Sequence, residues 1–108
     1  MGKLYIPLEL NGGIKVLNDF RMELIRNLVR NLPVLRAKIG ITQEKLGELV
    51  GLSRQSIAMI ENGTRKLSWT NYLAIVYALS FDKETKELMK QLDVLSTKFE
   101  KEIVNQNW

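Results

Sequence analysis

Four consecutive hydrogen-bonding side chains, Ser53-Arg54-Gln55-Ser56, lie near the middle of the 108-residue sequence. Arginine can form two hydrogen bonds with guanine O6 and N7, and glutamine can do the same with adenine N6 and N7. Serine hydroxyls can bind base edges or phosphate oxygens. The run is therefore suited to reading a nucleic acid, provided that an ordered element holds these side chains outward.

The composition argues against an enzyme. The sequence has no cysteine and no histidine, which removes disulfides, thiolate nucleophiles, and the commonest general base and metal ligand. We expect no catalytic activity, no cofactor and no metal. No apolar run approaches the roughly 18 residues that span a bilayer, and the first residues lack the layout of a signal peptide. We therefore expect a single-domain cytoplasmic protein without a membrane partner.

The charge distribution favours a polyanionic partner. The formal net charge is +4 and the sequence pI is about 9.5. Five basic residues lie between residues 19 and 40, namely Arg21, Arg26, Arg30, Arg36 and Lys38. Only Asp19 and Glu23 oppose them in that segment. Such a balance favours binding to nucleic acid, although a mixed surface that keeps the chain soluble would have the same composition.

Two short amphipathic helices joined by a tight turn are predicted around the polar run. Thr42 is a suitable N-cap for the first helix, Gly51 ends it, and Ser53 caps the second. A connection this short makes two helices cross steeply and pack closely. Gly47 offers the small residue that the crossing needs, and Ile57 fits the angle between the helices.

These features resemble the lambda-repressor-like helix-turn-helix family, also called the XRE or Cro/C1 type. The resemblance covers roughly residues 32–79, and its sequence reads LRAKIGITQEKLGELVGLSRQSIAMIENG, then TRKLS, then WTNYLAIVYAL. It implies an all-α helix-turn-helix bundle. The chain departs from the family at two positions, since the family usually has alanine where this chain has Gly47 and commonly has proline where Leu67 stands.

The resemblance also implies that the second motif helix, about residues 53–62, lies in the major groove of double-stranded DNA. The expected base contacts are Gln43, Ser53, Arg54, Gln55, Ser56 and Met59. The expected phosphate contacts are Thr42, Asn62, Thr64, Arg65 and Lys66. Two simpler interpretations remain open, because Ser53 is already explained as a helix cap and Arg54 and Gln55 could be solvated. Glu61 has the wrong sign for phosphate, so we expect it to pair, with Arg36 as the candidate.

The remaining sequence pattern divides the chain into three predicted segments. Residues 1–18 are predicted to form an arm or an edge β-hairpin that turns at Asn11-Gly12-Gly13. Residues 19–80 form the helix-turn-helix domain with a preceding N-terminal helix. Pro33 favours a new helix from near Asn31 to Ile39, with one kinked helix from Asp19 to Ile39 as the alternative. A later helix from Trp69 to Leu79 should bury Leu73, Val76 and Leu79.

The last segment, residues 81–108, is predicted to be a long helix with a coiled-coil-like apolar seam. The seam comprises Leu88, Leu92, Leu95, Phe99 and Ile103. We expect it to form a homodimer interface, because a two-fold dimer reads two half-sites about 34 Å apart. The alternative is that it folds back onto its own chain.

The sequence thus predicts a DNA-binding transcriptional regulator, with repression as the expected mode. Two alternatives remain, namely an antitoxin whose terminal helix masks a toxin and an adaptor with the same fold but no DNA contacts.

Overall fold

The computed structural model describes residues 8–96 together with residues 98 and 101. It contains the helices α1 (Leu8–Ile39), α2 (Gln43–Val50), α3 (Arg54–Glu61), α4 (Trp69–Leu79) and α5 (Lys83–Gln91). No strand occurs in this described part of the chain. The all-α prediction is confirmed, and the predicted bounds of α4 agree with the structure.

The first helix continues through Pro33 as one helix of 32 residues, so the predicted new helix near Asn31 is wrong. A stripe of leucines explains the continuity, because Leu24, Leu28, Leu32 and Leu35 are all buried. Their spacing of four, four and three residues places them on one helical face. An interior proline costs about 3 kcal/mol, whereas burial of each leucine stabilises the fold by roughly 1.5–3 kcal/mol. Packing therefore outweighs the local break.

The predicted β-hairpin is also wrong, because residues 8–18 belong to α1. The hairpin prediction depended on short apolar alternations on either side of Gly12-Gly13. The same segment contains Leu10, Ile14 and Leu17, which lie four and three residues apart, as in a helix. Each glycine lowers helix stability by about 1 kcal/mol relative to alanine, a cost that a long helix can absorb. Residues 1–7 lie outside the described residues.

The five helices enclose one hydrophobic core. The buried apolar residues are Leu24, Leu28, Leu32, Leu35, Leu46, Ile57, Ile60, Leu67, Tyr72, Ile75, Val76, Leu79, Met89 and Val94. Helix α1 packs against α3, α4 and α5, while α2 packs against α3 and α4. The long first helix therefore supports the motif helices from behind and leaves the first turn of α3 at the surface.

The predicted long C-terminal helix is wrong in its extent, because α5 ends at Gln91. Asp93 then adopts a φ of 56°, in the left-handed region that aspartate tolerates better than most residues. The Asp93 carbonyl accepts a hydrogen bond of 3.0 Å from the Asn27 side chain. The Tyr72 hydroxyl donates to the carbonyl of Val94, whose side chain is fully buried. Contacts with α1 and α4 therefore stabilise a turn where the sequence pattern suggested continuous helix.

The predicted apolar seam lies partly against the protein's own core. The side chains of Leu88, Leu92 and Leu95 are half-buried and pack against the buried residues. Folding back, the alternative considered from the sequence, accounts for the buried part of these three leucines. Phe99 and Ile103 lie outside the described residues.

An exposed apolar stripe along α4 and just beyond its end, called the α4 stripe, is a feature that the sequence did not predict. Leu73, expected to be buried, is 48% exposed, while Tyr77 is 68% and Phe81 is 75% exposed. The rings of Tyr77 and Phe81 meet edge to face, 5.0 Å apart. No charged residue occurs from Ser68 to Phe81. Within the described chain, none of the helices combines the length and apolar character that crossing a membrane requires.

Candidate nucleic-acid interface

A close approach of backbone to backbone shapes the turn between α2 and α3. A Cβ atom added at Gly47 would lie 2.3 Å from the carbonyl oxygen of Leu52, which is far too short for a real contact. The amide of Leu52 donates a 2.9 Å hydrogen bond to the Gly47 carbonyl. Gly51 ends α2 with a φ of 78°, a conformation that glycine adopts without strain. Gly47 therefore lies at the helix crossing, as the sequence predicted.

The first turn of α3 exposes Arg54 and Gln55. Neither side chain has a hydrogen bond or ion pair with any residue in the described part of the chain. Ser53 caps the helix, because its Oγ accepts a 3.0 Å hydrogen bond from the Ser56 amide. Met59, one turn beyond Ser56, is half-buried. Arg54 and Gln55 are therefore the side chains of the polar run that are most available to an external ligand.

The loop after α3 is ordered by its own hydrogen bonds. The Asn62 Oδ1 atom accepts from the amide of Thr64 at 2.9 Å and from its hydroxyl at 2.6 Å. The amides of Thr64 and Arg65 donate to the Met59 carbonyl at 3.0 and 3.1 Å. Gly63 adopts a φ of 83°, which permits this reversal. Asn62 and Thr64 thus shape the loop, while their side chains remain exposed.

Two basic side chains extend from this loop, in different arrangements. Lys66 is exposed and has no hydrogen bond or ion pair within the described residues. The guanidinium of Arg65 is also exposed, but its Nη1 donates to the Oγ of Ser56 in the first turn of α3. The structure therefore links a residue predicted to contact phosphate with one predicted to contact a base. The nine-residue separation carried no sequence signal for this contact.

A largely buried ion pair joins α1 to α3 behind this surface. The Nε and Nη2 atoms of Arg36 donate to the two oxygens of Glu61 at 2.6 and 2.9 Å. The exposed fractions of the two side chains are only 17% and 8%. The hydrogen bond with Glu61 raises the pKa of Arg36, an effect that burial partly opposes. The pairing expected from the sequence is therefore present, and Arg36 also donates to the carbonyl of Ile41 at 3.1 Å.

Gln43 belongs to the same network. Its Nε2 donates a 2.9 Å hydrogen bond to Oε1 of Glu61, which connects the start of α2 to the end of α3. Gln43 is half-buried, and it lines an open cleft of about 450 Å³ with Arg36, Thr42, Glu44 and Arg54. The cleft lies at the N-terminal end of α2. The position is compatible with the base contact predicted for Gln43, which stays a prediction.

One basic residue of α1, Arg21, packs against an aromatic ring of α4. The guanidinium of Arg21 lies over the ring of Trp69, 5.4 Å from its centroid. Trp69 in turn stacks on Tyr72 with the ring centroids 4.7 Å apart. Burial raises the pKa of the Tyr72 hydroxyl to about 12. Arg21 therefore helps to fix α1 against α4, as a cation–π contact does.

Comparison with known proteins agrees with this geometry. The sequence pattern of the family described as Helix-turn-helix matches residues 35–76, which contain α2, α3 and most of α4. No solved structure matches the chain. The fold and the matched segment define a helix-turn-helix protein.

A similar protein indicates which type of helix-turn-helix family is present. The chain is similar to the "Uncharacterized HTH-type transcriptional regulator YgzD" of Bacillus subtilis strain 168, with 48% identity over 50 residues. The aligned part is 46% of this chain and 76% of the relative. The chain therefore belongs to the helix-turn-helix family of the XRE, or Cro/C1, type.

Proposed function

We propose that this protein is a sequence-specific DNA-binding transcriptional regulator, with α3 in the major groove and two copies on one operator. The observation that carries the proposal is the first turn of α3, which presents Arg54 and Gln55 without an intramolecular partner in the described chain. Family membership and the printed name of the Bacillus subtilis relative support the same function.

The proposed base contacts follow from the placement of each side chain. Arg54 and Gln55 would each form paired hydrogen bonds with a purine. Ser53, Ser56, Gln43 and Met59 would complete the reading surface. The proposed phosphate contacts are Thr42, Asn62, Thr64, Arg65 and Lys66. These contacts fix the register of the protein on DNA but do not select the sequence.

Dimerisation is part of the proposal because one helix-turn-helix reads only a few base pairs, whereas a dimer reads two half-sites about one helical turn apart. The α4 stripe of Leu73, Tyr77 and Phe81 supplies exposed, uncharged surface for a second copy. Leu88, Leu92, Leu95, Phe99 and Ile103 stay predicted as interface residues. A dimer that covers a promoter blocks access to it, so repression is the proposed mode.

Selection from a random pool of DNA duplexes by the full-length protein tests the function. We expect an enriched palindrome, bound with an affinity that falls steeply with salt, by about 0.9 in the log–log slope for each phosphate neutralised. Arg54→Ala should then reduce discrimination at one base position of each half-site by roughly 10-fold to 100-fold.

Lys66→Ala is the matched control, because Lys66 is equally exposed and has no contact within the described residues. It should weaken binding to the operator and to random DNA alike and lower the salt slope by about 1. Failure to enrich any sequence, with weak binding that is unchanged from low to physiological salt, would contradict the proposed function and favour an adaptor.

A further inference from the structure

We propose that Arg65 is a positioning residue for base selection, which fixes the hydroxyl of Ser56 on the reading surface of α3. This inference rests on the proposed function and deepens it, since it assigns Arg65 a role in choosing the base as well as in binding phosphate. It follows from the contacts of the free protein.

The backbone of the loop places Arg65 alongside α3. The amide of Arg65 donates to the Met59 carbonyl at 3.1 Å, and its guanidinium donates to Oγ of Ser56. The carbonyl of Met59 lies in the second half of α3 and Ser56 lies in its first turn. Arg65 therefore runs along α3 from its end towards its start. The turn at Gly63 and the hydrogen bonds between Asn62 and Thr64 hold the loop in this course.

The hydrogen bonds at Ser56 determine what its hydroxyl can offer to DNA. A serine hydroxyl has one donor and two acceptor lone pairs. Oγ of Ser56 accepts from the Arg65 guanidinium and, at 2.9 Å, from the Ser53 hydroxyl. With the Ser53 hydroxyl as the donor, both lone pairs of Oγ are occupied and the O–H of Ser56 is left to donate. Arg65, which can only donate, takes one acceptor site of Ser56 and so favours donation by the Ser56 hydroxyl.

A hydroxyl held as a donor discriminates between base edges. It can bind O6 or N7 of guanine, N7 of adenine or O4 of thymine, all of which are acceptors in the major groove. It cannot bind the amino group of cytosine, which only donates. Arg65 has further N–H groups beyond the one that bonds to Ser56, so contact with a phosphate remains compatible with this role.

The test compares base preference among variants of the full chain by selection from a random duplex pool, followed by titration against single-base variants of the selected operator. Ser56→Ala should relax preference at one position of each half-site. Arg65→Ala should relax the same position, about fivefold or more against cytosine. The double variant should show no further loss there, because residues that act through one contact are not additive.

Two controls separate this role from a general effect of charge. Lys66→Ala removes one positive charge from the same loop and should leave every base preference unchanged. Arg65→Lys keeps the charge but not the planar fork, so it should retain most of the affinity for random DNA while losing the preference. It also replaces Arg65→Ala as the test if that variant does not fold.

Each remaining outcome is decisive. Uniform weakening by Arg65→Ala across all sequences, as with Lys66→Ala, overturns the inference and leaves the proposed function intact. Relaxed preference at a position different from the one that Ser56→Ala affects overturns it as well. A wild-type protein that selects no sequence overturns the proposed function and this inference together.

Discussion

Glu61 is the side chain through which α1, α2 and α3 are held together behind the proposed DNA surface. It accepts two hydrogen bonds from Arg36 and one from Gln43. A carboxylate this buried would be costly to the fold without such partners, because removing it from water must be offset by charge and hydrogen bonding. The network therefore couples the stability of the motif to the placement of Gln43.

Removal of either member of this ion pair should destabilise the protein strongly. Arg36→Ala leaves the Glu61 carboxylate with only the amide of Gln43, and Glu61→Ala leaves a partly buried guanidinium without its carboxylate partner. We expect each variant to lower the free energy of unfolding by about 3 kcal/mol, a large part of the roughly 5–15 kcal/mol typical of a domain. Urea unfolding followed by circular dichroism measures both values, and the double variant measures their coupling.

An exposed ion pair between α1 and α5 is the control for this prediction. Lys38 and Glu84 are 3.7 Å apart, and their side chains are 41% and 80% exposed. Lys38→Ala should therefore change the free energy of unfolding by less than about 1 kcal/mol. If Arg36→Ala proved no more destabilising than Lys38→Ala, the central role assigned to the Arg36–Glu61 pair would have to be abandoned.

The sequence predicted a residue's contacts or exposure correctly where the chemistry of that residue alone decides them. The charge of Glu61 indicated a partner for it, and the polar run indicated exposure of Arg54 and Gln55. The contact of Arg65 with Ser56 could not be predicted, because it depends on the path of the loop after Gly63. The hydrogen bond from Gln43 to Glu61 likewise could not be predicted, because it depends on how α2 packs against α3.

The close crossing of α2 and α3 at Gly47 leads to a prediction about the stability of the helix-turn-helix motif. Alanine is favoured over glycine in a helix by about 1 kcal/mol, and the family usually has alanine here. In this structure, however, the added methyl would meet a backbone carbonyl at 2.3 Å. We expect Gly47→Ala to lower the free energy of unfolding by about 1–3 kcal/mol and to reduce operator affinity, because α3 must shift relative to α2.

The neighbouring exposed position supplies the control for Gly47→Ala. Glu48→Ala places the same residue type one position further along α2, away from the crossing, and should change stability by no more than about 0.5 kcal/mol. Chemical denaturation of the two variants side by side gives the comparison. A higher unfolding midpoint for Gly47→Ala would show that the turn relaxes freely and that the helix propensity of alanine prevails.

Asp82, the N-cap of α5, makes the stability of the fold depend on pH. Hydrogen bonds to the side chain and backbone of Thr85 lower the pKa of Asp82, and the charge of Lys38 acts in the same direction. A carboxylate with a lowered pKa stabilises the fold fully above its unfolded pKa of about 3.9. That contribution is lost as the pH falls through the folded pKa.

Asp82→Asn isolates this contribution, because asparagine can cap a helix without titrating. The wild-type protein should lose stability relative to Asp82→Asn as the pH is lowered from about 5 towards 2, a window below and around the unfolded pKa. Thermal unfolding of both proteins across this range measures the difference, in which the other carboxylates cancel. A difference that stays constant with pH would show that Asp82 does not contribute through its charge.

The starts of the helices were easier to predict from the sequence than their continuity and their ends. The caps Thr42 and Ser53 marked the starts of α2 and α3 correctly, because capping is a property of adjacent residues. The interruption expected at Pro33 was wrong because a stripe of buried leucines spans it. The end of α5 was also unpredictable, since the turn at Asp93 is stabilised by distant Asn27 and Tyr72.

The uncharged α4 stripe is the surface through which two copies of the whole molecule would form the proposed dimer. No charged residue occurs from Ser68 to Phe81, so two copies can bring the stripe together without repulsion between like charges on it. In a two-fold dimer the same residues lie on both sides of the contact, and each large apolar side chain that is buried stabilises association by roughly 1.5–3 kcal/mol.

Tyr77→Lys should therefore weaken dimerisation, because it introduces two positive charges into one symmetric contact. We expect the dimer dissociation constant, measured by sedimentation equilibrium, to rise at least about 10-fold. Affinity for a palindromic operator should fall with it, whereas affinity for an isolated half-site should not, since Tyr77 lies outside the proposed reading surface. Met22→Lys, at a 57% exposed position on α1, adds the same charge and should leave dimerisation unchanged. Unaltered association of Tyr77→Lys would assign the dimer contact to another surface and leave base reading by α3 unaffected.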